Sequence, residues 1–245
     1  YSYKMNSPYC GLFTKNYERK FAYYEAIEKI LKVPEVAKME SVDVPPKYTA
    51  LNTANGGQVI EIQYTTYDYA GDGHELTKPA FVYLPPKYDE TKQYNVLYLM
   101  HGVGGNEREW GMTGNGSQVK KMMDNLIASG EMPITIGVFV NPGMVYDEEG
   151  EVVRYNRCKE FDSTDDLFAQ FLENEVLAKV EGMQTASGKT IRLSNDANDR
   201  AITGASSGGI AAFTAAWNRP DLFSRVYTTV GTFVAMRGGN EYPAI

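Results

Sequence analysis

The sharpest chemical feature of the chain is a serine with glycines two positions away on either side: Gly204-Ala205-Ser206-Ser207-Gly208. In a G-x-S-x-G pattern of this kind a strand turns abruptly into a helix, and the serine hydroxyl is left exposed in a strained conformation. Glycine is required at 204 and 208 because side chains there would collide with neighbouring backbone. The helix that follows aims its positive end at the serine and favours negative charge developing there. The pattern alone turns up by chance. Here Asp199 to Thr203 reads as a strand before it, and the Ala-rich run Ile210 to Ala216 reads as a helix after it. The expected role of Ser206 is therefore nucleophile. The alternative is a Gly/Ser turn in which Ser206 only caps the helix. Ser207, at the x position, is expected to contribute a backbone N–H.

A second feature is His101-Gly102-Val103-Gly104-Gly105, directly after the apolar run Asn95 to Met100. Glycine-rich backbone can come close to a bound carbonyl. Acyl transfer passes through an oxyanion, and one donor aimed at that charge is worth about 2.7–4 kcal/mol. The expected donors are the N–H groups of Val103 and Ser207. His101 and His74 are the only two histidines. His101 is expected to pack and hydrogen-bond so as to hold the turn, with general base as the alternative. No Cys/His metal spacing is present, and no cofactor or metal is expected.

These residues need elements to hold them. Residues 59 to 67, rich in β-branched and aromatic side chains, read as a strand. So do 79 to 84, 95 to 100, 133 to 140, 199 to 203 and 225 to 230. Helical patterns cover 118 to 127, 163 to 180 and 208 to 217. Ser163, with Asp166 three residues on, resembles a capping box. Strands alternating with helices point to an α/β fold with a mostly parallel sheet covered on both faces. Before this core, residues 1–48 read as a helical extension or linker. They carry a helix over Tyr17 to Lys32, closed by Pro34 and Pro45-Pro46. The core domain is expected over 49–245.

Composition narrows the function classes. A net charge of −7 argues against nucleic acid as a partner, because phosphate binding needs clustered Lys and Arg. No apolar run is long enough to span a bilayer. The 18 tyrosines are read mainly as strand residues, with stacking on sugars or aryl groups as the alternative. Cys10 and Cys158 form one disulfide or two free thiols. The first residue is Tyr1, which a removed signal peptide or a fragment boundary would equally produce; the expected location is secreted or periplasmic.

With the motifs in hand, the chain resembles a family of α/β-hydrolases. The family includes feruloyl and acetylxylan esterases of carbohydrate esterase family one, esterase D and enterochelin-esterase-like proteins. Leu97 to Glu107 is similar to its oxyanion strand and loop. Asn198 to Gly209, continuing to Arg219-Pro220-Asp221-Leu222-Phe223, is similar to its nucleophile region. Arg154-Tyr155-Asn156-Arg157 and Gly231 to Gly239 are similar to the enterochelin-esterase-like members. The resemblance covers roughly Gly56 to the end. It implies a serine carboxylic ester hydrolase working through an acyl-enzyme.

The family orders its triad serine, acid, histidine. No histidine follows Ser206 here, and the carboxylates after it are Asp221, in the Arg-Pro-Asp turn, and Glu241. The expectation is a C-terminally incomplete chain, with acid and histidine encoded after Ile245. These 245 residues alone are then expected to be nearly inactive.

Asn141 to Asp162 is read as a loop at the sheet's carboxyl edge, where ligands bind in open α/β sheets. Candidate substrate contacts are Arg154, Asn156 and Arg157 within it, Trp110 behind the oxyanion loop, and Arg237. Solvated charges, or core for Trp110, are the alternatives. The leading substrate class is a carbohydrate-linked ester, feruloyl or acetyl. The rivals are a catecholate siderophore ester, acyl transfer to a sugar, and a non-catalytic carbohydrate-binding module on a hydrolase fold. The partner is then a small-molecule or polysaccharide ester.

Overall fold

In strand β1 (Gln58–Tyr67), Ile62, Tyr64 and Thr66 are buried while Glu61, Gln63 and Thr65 are exposed. That is the period-two alternation of a strand with one covered face. It pairs antiparallel with β2 (Glu75–Leu84), whose last five residues are buried on both faces. Strands β3 (Asn95–Met100) and β4 (Thr135–Val140) are apolar runs, and β4 is buried along its whole length, as expected in the middle of a covered sheet.

The structure is a computed structural model describing residues 43–54, 56–69, 71, 73–102, 118–231 and 233. The chain divides into two compact units, Tyr1–Asp43 and Val44–Ile245, and the second is described here. The expected helix over Tyr17 to Lys32 lies outside the described residues. A short helix α1 (Pro46–Thr49) opens the second unit, and Tyr48 donates its hydroxyl to Glu131 at 2.7 Å.

The six-stranded sheet runs β1-β2-β4-β3-β7-β8, with β7 at Arg200–Ala205 and β8 at Arg225–Thr229. β2 meets β4 antiparallel; β4, β3, β7 and β8 are mutually parallel. Side chains of β3 split between two cores. Val96, Tyr98 and Met100 face the helical run α4 (Leu167–Phe171), a π-helical stretch (Leu172–Leu177) and α5 (Ala178–Glu181), together with α6 (Ser207–Asn218). Leu99 joins Phe81, Tyr83, Phe139 and Met123 of α2 (Gln118–Ser129) on the other face. Helices thus cover both faces, as the element pattern predicts. Fully burying one such apolar side chain is worth about 1.5–3 kcal/mol.

Two expectations need correction. The helix expected from Ser163 starts only at Leu167, and no capping box forms. Asp166 makes no side-chain cap bond. Asp165 instead accepts from the Leu167 N–H at 3.0 Å and from the Ser163 hydroxyl. The helix also widens to π geometry mid-way.

The segment read as a loop is also folded. It forms a hairpin, β5 (Met144–Tyr146) with β6 (Val152–Tyr155), and then the one-turn helix α3 (Arg157–Glu160). Asp147 makes the turn, accepting from the N–H groups of Glu149 and Glu151 at 3.1 and 2.8 Å, and Gly150 takes a positive φ of 86°. Among the described residues no helix is long and apolar enough to cross a membrane.

Candidate active site

Met100 is paired laterally with Val140 on one side and Gly204 on the other, so β4, β3 and β7 end along one edge. The residues that continue from them, Asn141, His101 and Ala205-Ser206, therefore line that edge. Arg200, completely buried, fixes the start of β7: its guanidinium donates to Glu173 at 2.6 Å, to the Ser194 carbonyl at 2.7 Å and to Asn195 at 3.1 Å.

β7 ends in the turn at Ser206. Its backbone has φ 54° and ψ −116°, a region costing a non-glycine residue about 1–3 kcal/mol. The Ser206 N–H donates to the Thr229 carbonyl of β8 at 2.9 Å, and its own carbonyl accepts from the Ile210 N–H at 3.2 Å. The hydroxyl makes no cap bond to helix α6, so the capping alternative finds no hydrogen bond to rest on.

The glycines are explained by contact. A Cβ on Gly204 would stand 2.2 Å from the Gly208 carbonyl oxygen. One on Gly208 would stand 2.4 Å from the Met100 oxygen and 2.6 Å from that of His101. Strand end, helix start and the neighbouring strand thus pack backbone on backbone. Gly102 is close as well: a Cβ there would lie 3.4 Å from the Ser206 Cβ. The His101-Gly102 segment therefore runs directly beside the serine.

His101 itself is buried, with Nδ1 2.9 Å from the Gly102 carbonyl oxygen and its ring 5.4 Å from that of Phe161. His74 lies exposed in the turn between β1 and β2. β2 is three strand positions from β7, roughly 14 Å across the sheet. Asp221 is paired with Arg219 through two bonds of 2.6 and 2.8 Å, which hold its carboxyl below the usual range. Val103, Trp110, Arg237, Glu241 and Cys10 lie outside the described residues, and Cys158 is a free thiol.

The candidate contacts from the 141–162 segment do not all face outward. Asn156 is fully buried, donating to the Pro142 carbonyl at 3.2 Å and to Glu160 at 3.4 Å, and accepting from Arg154 Nε at 2.8 Å. Arg154 is ion-paired with the buried Asp68. The Asn156 side chain is turned into the protein, and that of Arg154 reaches inward to Asp68 while staying partly exposed. Arg157 donates from Nη1 to the Ser207 hydroxyl at 2.9 Å.

Beneath them lies a pair that the motifs did not reveal. Lys78 and Glu160, both with fully buried side chains, are 2.5 Å apart. The Lys78 ammonium also sits 4.3 Å from the centroid of the Phe171 ring. Burial pushes the Glu160 carboxyl up to about 7 against the opposing pull of Lys78. Burial, reinforced by Glu160, likewise raises the Tyr64 and Tyr69 hydroxyls. A signal existed in the sequence: strand alternation puts Lys78 in phase with Ala80, Val82 and Leu84, the inward positions.

The family model described as "Putative esterase" matches residues 77–233, more than half of the chain. The chain belongs to this esterase family. Among curated relatives of this esterase chain, an endo-1,4-β-xylanase/feruloyl esterase from Xylanibacter ruminicola is 29% identical over 211 residues. That match covers 82% of the chain but 25% of the relative, so the chain spans about a quarter of that protein. Among solved structures, a ferulic acid esterase from Anaeromyces mucronatus in complex with ferulic acid is similar at TM-score 0.56 and 20% identity, over 78% of this chain and 64% of that one. An enterobactin esterase from Shigella flexneri, in the presence of 2,3-dihydroxy-N-benzoyl-serine, is similar at TM-score 0.56 and 16% identity, over 80% and 43%. At these identities the structural likeness speaks for the fold, which is the α/β-hydrolase fold of the esterase family.

Proposed function

We propose that Ser206 is the nucleophile of a serine carboxylic ester hydrolase acting on carbohydrate-linked esters, feruloyl or acetyl. The observation that carries this reading is the Ser206 turn. A non-glycine residue is held at φ 54° between β7 and α6 by backbone contacts that admit only glycine at 204 and 208, with its hydroxyl uncommitted to the helix.

In the proposed mechanism the Ser206 hydroxyl attacks the ester carbonyl and forms a tetrahedral oxyanion. The N–H of Ser207, at the positive end of α6, and the N–H of Val103 receive that charge. Collapse expels the alcohol and leaves an acyl-serine, which water hydrolyses. The proton relay is not assigned to His101, whose ring is engaged with Phe161 and the Gly102 carbonyl, nor to His74. The substrate class draws on the feruloyl esterase named in the Xylanibacter relative. Action on a polysaccharide fits a protein working outside the cytoplasm.

The test is a panel of feruloylated and acetylated oligosaccharides and a dihydroxybenzoylserine ester, given to the full-length protein. Release of ferulate or acetate is expected. Release of dihydroxybenzoylserine alone would move the reading to a siderophore esterase. Saccharide binding with no Ser206 adduct from a fluorophosphonate would make the protein a binding module.

A further inference from the structure

Taking Ser206 as nucleophile and the Ser207 N–H as an oxyanion donor, we infer that Arg157 is a positioning residue for that donor, acting through the Ser207 side chain. Ser207 is the first residue of α6 and is buried to 1% exposure. Its hydroxyl accepts the 2.9 Å bond from Arg157 Nη1. The direction of its N–H depends on how the first turn of α6 sits, and that turn is tied down from two sides. Strand β8 holds the Ser206 N–H through the Thr229 carbonyl, and helix α3 holds Ser207 through Arg157.

Helix α3 is short, but its frame is rigid. The residue before it, Asn156, is buried and bonded to the Pro142 carbonyl. Its last residue, Glu160, is paired at 2.5 Å with Lys78 of β2. Arg157 thus reaches Ser207 from a base anchored in the sheet. A fixed cation beside the donor also adds positive potential where the oxyanion forms, and pre-set charge of this kind needs no rearrangement during reaction. This part-buried arginine–serine bond fixes a donor rather than holding substrate, so its loss lowers turnover rather than affinity.

Steady-state hydrolysis of 4-nitrophenyl acetate by the full-length protein tests this, with the variants Arg157→Ala, Arg157→Lys, Ser207→Ala and the double Arg157→Ala/Ser207→Ala. Each alanine variant is expected to lower kcat by about 10–100-fold, the scale of a misplaced reacting group, with KM within about twofold. The double variant is expected to fall no further than the deeper single, since both remove one coupled unit. Arg157→Lys should recover part of the loss through a single bond to Ser207. The inference is overturned if KM rises while kcat holds, which would make Arg157 a substrate contact. Multiplicative losses in the double variant, or unchanged kcat, overturn it as well. If loss of Arg157 prevents folding, Ser207→Ala decides alone, because it leaves the α3 frame whole. An inactive parent protein removes the esterase reading and this inference together, whereas an active parent with unaffected variants removes only the inference.

Discussion

Two regions flank the same sheet edge and are held by opposite means. The β7–Ser206–α6 junction is backbone packed on backbone, with contacts so close that Gly204 and Gly208 admit no Cβ. The 141–162 segment is held by side chains and buried charge: Lys78 with Glu160, Arg154 with Asp68, and Asn156 between them. The first arrangement is stiff because little in it can rotate. The second is stiff only while every member is present, since an unpaired buried charge is costly. A nucleophile turn suits the first kind of support. The surrounding wall, built around longer side chains, suits the second.

The largest effect should come from breaking the backbone side. Gly208→Ala puts a methyl 2.4 Å from the Met100 oxygen, which belongs to a central strand and cannot give way. We expect more than about 4 kcal/mol of destabilisation, or no folded protein, in urea unfolding. A near-native midpoint would show that the junction yields more readily than described.

The side-chain region should respond differently to single and paired changes. Lys78→Met leaves the buried Glu160 without its cation, with only Asn156 among the described residues still donating to it, and is expected to cost about 3–5 kcal/mol. Adding Glu160→Leu should restore most of it. A single change without effect, or a pair as damaging as the sum of its members, would contradict a coupled buried ion pair.

The smallest effect is a slope. Burial raises the Glu160 carboxyl to about 7, while the unfolded chain titrates near its ordinary value of 4.5. Between those values the folded protein keeps a proton that the unfolded chain has released, so this group makes stability fall as pH rises through the window. Glu160→Gln should flatten the decline of the melting temperature over that range. An unchanged slope would place the titration elsewhere.

The same contrast explains what could be read from the sequence. Steric need for glycine is recorded at the position itself, so Gly204 to Gly208 and the strand before it were legible, as was Asn95 to Met100 from its apolar run. The wall was not. Arg154 and Asp68 are 86 residues apart, and Lys78 and Glu160 are 82 apart, and no local pattern announces such partners. The hairpin at 144–155 was hidden because Asp147 to Glu151 reads as a charged loop, although Asp147 and Gly150 are the residues that make its turn. The π-helical stretch after Phe171 keeps the apolar positions of an ordinary helix, and nothing in that spacing distinguishes a five-residue hydrogen bond from a four-residue one. Asn156 and Arg154 are candidate substrate contacts because their segment follows a buried strand at the sheet's carboxyl edge; the sequence does not announce that Asn156 is buried against Pro142 and Glu160 or that Arg154 pairs with Asp68.

The central claim is that Ser206 forms the acyl-enzyme. The direct measurement is mass spectrometry of the full-length protein after brief exposure to a fluorophosphonate, alongside the Ser206→Ala variant. The account predicts one adduct, on the peptide containing Ser206, absent from the variant, with ester turnover lost by more than about 10⁴-fold. An adduct on another residue, or turnover that survives the substitution, would contradict it.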